Sequence, residues 1–345
     1  MIKLLRHSLV LSSSLLALSG AAVLAAGAAS SSSSALAPPS YDSFEPPAKG
    51  STYQDPTFGT TVKRLSDAMT MTDNAGRGGL TTISTEYSTA SPFNADNSRL
   101  ILQHNSYFGL YDGNGNYLRD LPFDVNVSTE PRWSRTDPDV LYFVSGNRLN
   151  KLAVGSGAIS VLHTFTEYSS INGKGESDIS QDGDHFVFAG DGRHVFVYEI
   201  SSGRKSQAVD LAGHAFNNLY ISPSNSVLVG FLSSGTSRYT GIEMYDRDMN
   251  FQRQVAHALG HMHLTRDTNG DEVVIWTNSG DPQPIANCQN GIVKVRLANA
   301  AQTCLLQLDW SLAVHITAGD GNGAAIVETY APGNPFPQSL SLIHI

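Results

Sequence analysis

The sequence predicts an all-β fold in which one unit of four short strands is repeated along the chain. Three observations predict it. Five stretches share a single strand and turn grammar: SPFNADNSRLILQHNSYFGLYDGNGNYLRDL, EPRWSRTDPDVLYFVSGNRLNKLAVGSGAISVLHTF, ESDISQDGDHFVFAGDGRHVFVYEISSGRKSQAVDL, NLYISPSNSVLVGFLSSGTSRYTGIEMYDRDMNFQRQVA, and HMHLTRDTNGDEVVIWTNSGD continued by GIVKVRLANAAQTCLLQL. Their equivalent turn positions Asn94, Ser134, Ser180, Ser222, Thr265 and Thr317 are separated by 40, 46, 42, 43 and 52 residues. No helical periodicity of any length intervenes, and 31 glycines with 15% charged residues suit a turn-rich chain. Four strands recurring every 40–50 residues or so define a β-propeller. A β-sandwich would not repeat one grammar five times.

In chain order, residues 1–29 read as an export signal. Lys3 and Arg6 precede the apolar run Leu9–Ala26, and small Gly27 and Ala29 offer a cleavage point. Serines interrupt the run and no basic flank follows it, so a membrane span fits less well. The location expected is periplasmic or secreted, with no membrane attachment after cleavage. Residues 30–54, rich in Ser, Pro and Ala, form a flexible lead-in. Thr60–Leu65 is a first strand signal, and the glycine-rich Asp73–Gly79 fits neither a P-loop nor a dinucleotide fingerprint. The propeller is assigned to residues 55–339. A sixth repeat begins at AVHITAGDGNGAAIVETYAPGNPFPQ, and the closing LSLIHI matches what a common sequencing adapter encodes in frame. Residues 340–345 are therefore read as a foreign tail, with about five and a half blades before them.

The net charge is −9, and −11 once Lys3 and Arg6 leave with the signal (20 basic against 31 acidic residues). Without a Lys/Arg cluster, nucleic acid is excluded as a partner. Cys288 and Cys304 flank the strand-like Gly291–Leu297. An exported chain permits a bond between them, but it requires residues 279–290 to fold back, and the spacing leaves bonded and free cysteines equally open.

The first strand of each propeller blade lines the central channel. Aligned repeats place Ala90/Pro92, Glu130/Arg132, Glu176/Asp178, Asn218/Tyr220, His261/His263 and Ala313/His315 there. Residues two apart on a strand share a face, with Cα atoms about 6.5–7 Å apart. The first pair offers no chemistry; polar residues of the other five converge. His261, His263 and His315, with Asp178, Glu176 or His214 as a fourth group, form a candidate divalent-metal site of the zinc or manganese kind. The Asp267–Asp271 and Asp112–Asn116 segments resemble fragments of calcium loops, but lack the full ligand set and read as hairpin turns. A second reading uses Arg132 to neutralise a substrate carboxylate, His261 or His214 as base and Tyr220 as acid. Against both stands the ordinary water-filled polar channel, in which Tyr220 packs and Arg132 pairs with Glu130 or Asp178.

SQDGDHFVF and its sister turns resemble the repeat of TolB-type periplasmic propellers. The segments DPTFGTTVKRLSDA, YSTASPFNAD, EPRWSRTDPDVLYF and GHMHLTRD resemble exported bacterial propellers related to oligogalacturonate lyase and the propeller-type ulvan lyases. The likeness spans most of residues 55–335 through short motifs. It implies a seven-bladed fold, a histidine-rich manganese site and a polyuronate lyase acting by β-elimination on an acidic oligo- or polysaccharide, as a monomer. The lyases carry a glutamine three residues before the first histidine of H-x-H; here Ala258 stands there. The TolB likeness implies instead a non-catalytic periplasmic propeller that binds a protein or glycan partner.

Overall fold

The computed structural model describes residues 45–55, 59–71, 79–124, 129–286, 288–307, 313–319, 323–330 and 338–344. The signal segment, the lead-in up to residue 44, most of the Asp73–Gly79 loop and Ile345 lie outside them. The described chain is almost entirely strand and turn, as expected. A short hairpin comes first, β1 (Thr52–Gln54) with β2 (Thr61–Lys63). Six antiparallel sheets then follow in strict chain order.

Sheet A contains β3 (Arg99–Gln103), β4 (Tyr107–Asp112) and β5 (Tyr117–Asp124), with Phe93 bridging Leu100 on its inner side. Sheet B contains β6 (Arg132–Trp133), β7 (Val140–Ser145), β8 (Arg148–Ala153) and β9 (Ala158–Thr164). Sheet C contains β10 (Ile171–Asn172), β11 (His185–Gly190), β12 (His194–Glu199) and, both on β12, β13 (Arg204–Lys205) and β14 (Val209–Asp210). Sheet D contains β15 (Phe216–Ile221), β16 (Val227–Phe231), β17 (Ile242–Tyr245) and β18 (Phe251–Ala256). Sheet E contains β19 (Met262–Arg266), β20 (Glu272–Thr277), β21 (Ile292–Arg296) and β22 (Gln302–Leu306). Sheet F contains β23 (Ala313–Ala318), β24 (Ala324–Tyr330) and β25 (Gln338–His344), so residues 340–344 sit within its third strand.

Both faces of the middle strands are buried, which explains their unbroken apolar runs. Side chains alternate between faces, and each face packs against a different neighbour. On β11, Phe186 and Phe188 join Tyr142 and Val144 of sheet B, while Val187 and Ala189 join Leu219 and Val229 of sheet D. On β20, Val274 and Trp276 face Leu228 and Met244 of sheet D, while Val273 and Ile275 face Ile316 and Val327 of sheet F. Ile101, Phe108 and Leu110 of sheet A meet Trp133, Leu141 and Phe143 of sheet B. Every sheet thus packs on the next one in sequence, as blades of a propeller do.

The recurrent turn residues close the inner hairpins. Asn94 Oδ1 accepts Arg99 N–H at 2.9 Å, Ser180 Oγ accepts His185 N–H at 2.8 Å, and Ser222 Oγ accepts Ser226 N–H at 3.1 Å. In sheet E the role passes from Thr265 to Asp267, whose carboxylate accepts Asn269 and Asp271 N–H. Thr265 instead donates its hydroxyl to Gly319 of sheet F at 2.7 Å. Cys288 and Cys304 are bonded, with Cα atoms 5.8 Å apart across 16 residues. Residues 279–290 do fold back on their own sheet.

Candidate functional site

Of the predicted pairs, Asn218/Tyr220 and Ala313/His315 lie on the inner strands β15 and β23. Arg132 and His263 lie on β6 and β19 with Glu130 and His261 just before them, and Glu176/Asp178 fall instead in the loop between β10 and β11. A further segment crosses between them. Residues 86–91, just before sheet A, run past the inner strands of sheets B, C, E and F. Glu86 accepts a charged hydrogen bond from Arg132 Nη1 of sheet B. Tyr87 OH and His261 Nδ1 of sheet E are 2.5 Å apart. Ser88 donates to Ile316 O of sheet F at 3.2 Å. Thr89 donates to Glu176 O at 2.6 Å, and Ser91 N–H points to Asp178, with Glu176 and Asp178 both on the loop between β10 and β11 of sheet C. Ala90 and Pro92 are as inert as the alignment implies. The chemistry they lack sits just upstream, in Glu86 and Tyr87.

Arg132 is 2% exposed. Beyond Glu86, its Nε donates to Ser177 O at 2.6 Å and its Nη1 to Pro131 O at 2.9 Å. Glu130 accepts N–H bonds from Gly173 (2.6 Å) and Gly175 (2.5 Å), and its backbone is left-handed at φ 43°. A non-glycine residue holds that conformation only where its surroundings enforce it, and this two-pronged cradle does so. Burial raises both Glu86 and Glu130 above the ordinary carboxylate range, with the Arg132 charge pulling back on each. Glu176 is raised by burial as well, while Tyr220 and Asn218 both donate to it. Tyr220 is itself buried, and its phenol is pushed well above its usual value, chiefly by desolvation and then by Glu176.

Next to Tyr87 the His261 and His315 rings lie 4.8 Å apart, edge to face. The Tyr87 ring touches both, at 6.2 and 5.9 Å. Desolvation, then the neighbouring His315, lowers the pKa of His261 below 6.5, so its imidazole is neutral at neutral pH. His263 Nδ1 accepts Ala318 N–H of sheet F at 2.8 Å, which ties it to the adjoining strand. Asp178 accepts from Arg135 Nη2 at 3.1 Å and from its neighbour Ile179 N–H at 2.7 Å. His214 lies on the loop before β15, exposed, its ring stacked on Tyr239 at 3.8 Å rather than on this group.

Two adjoining cavities open beside Asp178. The larger, about 340 Å³, is lined by Ser91, Phe93, Trp133, Arg135, Asp178 and Gln181. The smaller, about 50 Å³, shares Arg135, Asp178 and Gln181 and reaches Glu176, Tyr220 and His263. The larger is within the size range of small-molecule sites. Its cation is Arg135, one turn beyond the Arg132 that the alignment singled out.

The His261 and His315 rings adjoin, but the four residues proposed as ligands are not gathered as a cage. His263 and Asp178 hold the partners just given. Among the described residues, the group that does bring three ligand atoms within 4.8 Å of one another is Asp184, His185 and Glu199, where β11 begins and β12 ends in sheet C. The sequence alone does not single out His185, because its neighbours at two-residue spacing are Gly183 and Val187 and offer no ligand. Its carboxylate neighbours come from the turn before β11 and the end of β12, a grouping only the hairpin register creates.

Solved structures that share this fold include two oligogalacturonate lyases. An oligogalacturonate lyase in complex with manganese superposes with a TM-score of 0.58 at 13% identity, over 85% of this chain and 81% of that one. An oligogalacturonate lyase from Vibrio parahaemolyticus gives 0.55 at 10% identity, over 85% and 83%. No family model matches the sequence, and no curated protein does.

Proposed function

We propose that this propeller is a polyuronate lyase that cleaves an acidic oligo- or polysaccharide by β-elimination in its channel. The observation that carries this reading is the contact between Tyr87 and His261, an acid and a base joined by one hydrogen bond beside a second imidazole. The likeness in fold to oligogalacturonate lyases supports it. The neutral His261 takes the proton α to the uronate carboxylate, the C4–O bond breaks, and a phenol returns a proton to the departing oxygen. The products are an unsaturated uronate and a new chain end. Tyr87 is placed as the acid. Tyr220, donating to Glu176 within the wall, serves as a support for that carboxylate.

The substrate carboxylate needs a cation. Arg132 is enclosed with Glu86, which leaves Arg135, lining both cavities, as the side chain offered to it. A divalent ion such as manganese or zinc, if held by His315 and the substrate carboxylate itself, would supply Lewis-acid polarisation and leave the His261 lone pair free to take the proton. A periplasmic or secreted location, inferred from residues 1–29, agrees with the Cys288–Cys304 bond.

The test is Tyr87→Phe, which removes one oxygen and keeps the ring against both histidines. Loss of a positioned acid costs about 10²–10⁴ in rate, so kcat should fall by at least a hundredfold with KM little changed. A variant with full activity would move the acid elsewhere.

A further inference from the structure

The hairpin of sheet C ends in a group that the channel does not use. His185 opens β11 and Glu199 closes β12, and the two are directly opposed in register. The turn before them supplies Asp182 and Asp184. The His185 ring is 5% exposed. Its Nδ1 lies 3.3 Å from the Asp182 carboxylate. Its Nε2 is buried, has no hydrogen-bond partner, and lies 3.8 Å from Glu199 Oε1. The other Glu199 oxygen is taken by Ser202 Oγ at 2.6 Å and by Arg204 Nε at 3.4 Å. Asp184 is steadied by Ser201 N–H and Oγ, at 2.7 and 2.6 Å, with lone pairs left over on both oxygens.

A gap of 3.8 Å is too long for a hydrogen bond. It is close to what two ligands of one ion require: at about 2.1 Å from a tetrahedral metal, their atoms sit roughly 3.4 Å apart. The carboxylate at Nδ1 completes the pattern. A proton on Nδ1, directed at Asp182, leaves the Nε2 lone pair facing the gap, the tautomer a metal ligand needs. We propose that Asp184, His185 and Glu199 bind one divalent transition ion of the zinc class, with Asp182 orienting the imidazole. The nitrogen ligand disfavours calcium and magnesium, which take oxygen. The ion would clip the ends of β11 and β12 to their preceding turn. This site is independent of the channel and of the lyase reading.

The experiment uses the full chain, stripped with a chelator and titrated with zinc chloride by calorimetry and thermal melting. The His261→Ala/His315→Ala variant is run in parallel to remove the channel imidazoles. One equivalent of zinc should still bind in that background. At a hundredfold excess over Kd, the melting temperature should rise by about 4 °C for a chain of this size. Glu199→Gln, at a half-buried position where folding is not at stake, should weaken binding at least tenfold. His185→Ala should abolish it. The proposal is overturned if the channel double variant binds no zinc, if Glu199→Gln binds as tightly as the parent, or if NMR of the zinc-loaded protein shows His185 protonated on both nitrogens, bridging Asp182 and Glu199 without a metal.

Discussion

Replacing Glu86 by alanine should destabilise the whole propeller, because Arg132 would be left as a buried cation without its ion partner. Removing one member of a buried pair costs about 3–5 kcal/mol. Arg132 keeps the carbonyls of Pro131 and Ser177, and the charges of Glu130 and Asp178 remain near it. The lower end, about 3 kcal/mol, is therefore expected. Unfolding entropy for a chain of this length is on the order of 0.6 kcal/mol per kelvin, so the melting temperature should drop by about 5 °C. Calorimetry on Glu86→Ala reads this directly. A double change, Glu86→Ala with Arg132→Met, should recover most of the loss, since an apolar residue of similar volume can replace a buried ion pair at little cost. The coupling between the two sites should be about 2 kcal/mol, within the range for residues in contact. A fall of less than 1 °C or so in the single variant, against the ~5 °C expected, would show that residues 86–91 are not locked in the channel.

Other outcomes follow from the same geometry. His261→Ala should reduce kcat/KM by about 10²–10⁴ and shift melting little, because the residue is solvent-accessible overall and its ring meets Tyr87 and His315 rather than the apolar core. As burial and His315 hold the pKa of His261 below 6.5, the acid limb of wild-type kcat/KM should fall below that pH; a limb at or above it would remove His261 as the base. Opening the Cys288–Cys304 bond, by reductant or by Cys304→Ser, should cost about 3 kcal/mol for a loop of this length, read as a lower denaturant midpoint. Stability should also peak in mildly acidic solution. Glu86, Glu130 and Glu176 have raised pKa values, so their contribution is complete below about pH 4.5 and is lost as pH rises through those values. Asp182 and Asp267 are lowered, so theirs is present above about pH 3.8 and lost on further acidification. Glu176→Gln should flatten the fall on the alkaline side; an unchanged profile would mean that Glu176 ionises freely.

The fold was legible because its cause is local and repeated. Apolar runs such as His185–Gly190 and Val273–Thr277 are buried on both faces, and each hairpin carries its own turn residue, so five copies of one pattern identify the architecture. Aligned two-residue spacing also pointed to Arg132, Glu176, Tyr220 and His261, although Glu176 stands in the loop between β10 and β11 and His261 just before β19 rather than on an inner strand. What those side chains face was not legible. Arg132 meets Glu86 over 46 residues and His261 meets Tyr87 over 174, and no periodicity links such positions. The Asp184–His185–Glu199 group depends on the register of β11 against β12, where a slip of one residue would turn His185 to the opposite face.

The proposed β-elimination would leave an unsaturated uronate that absorbs in the ultraviolet. The most direct test follows the ultraviolet absorbance of the unsaturated uronate while wild type and His261→Ala act on a panel of polyuronates, with and without added manganese. Rising absorbance is expected for at least one polyuronate with the wild type, with loss of that signal by at least a hundredfold in the variant. Absence of unsaturated product across the panel, with a fully folded protein that retains and binds the oligosaccharide, would contradict it and leave a glycan-binding propeller.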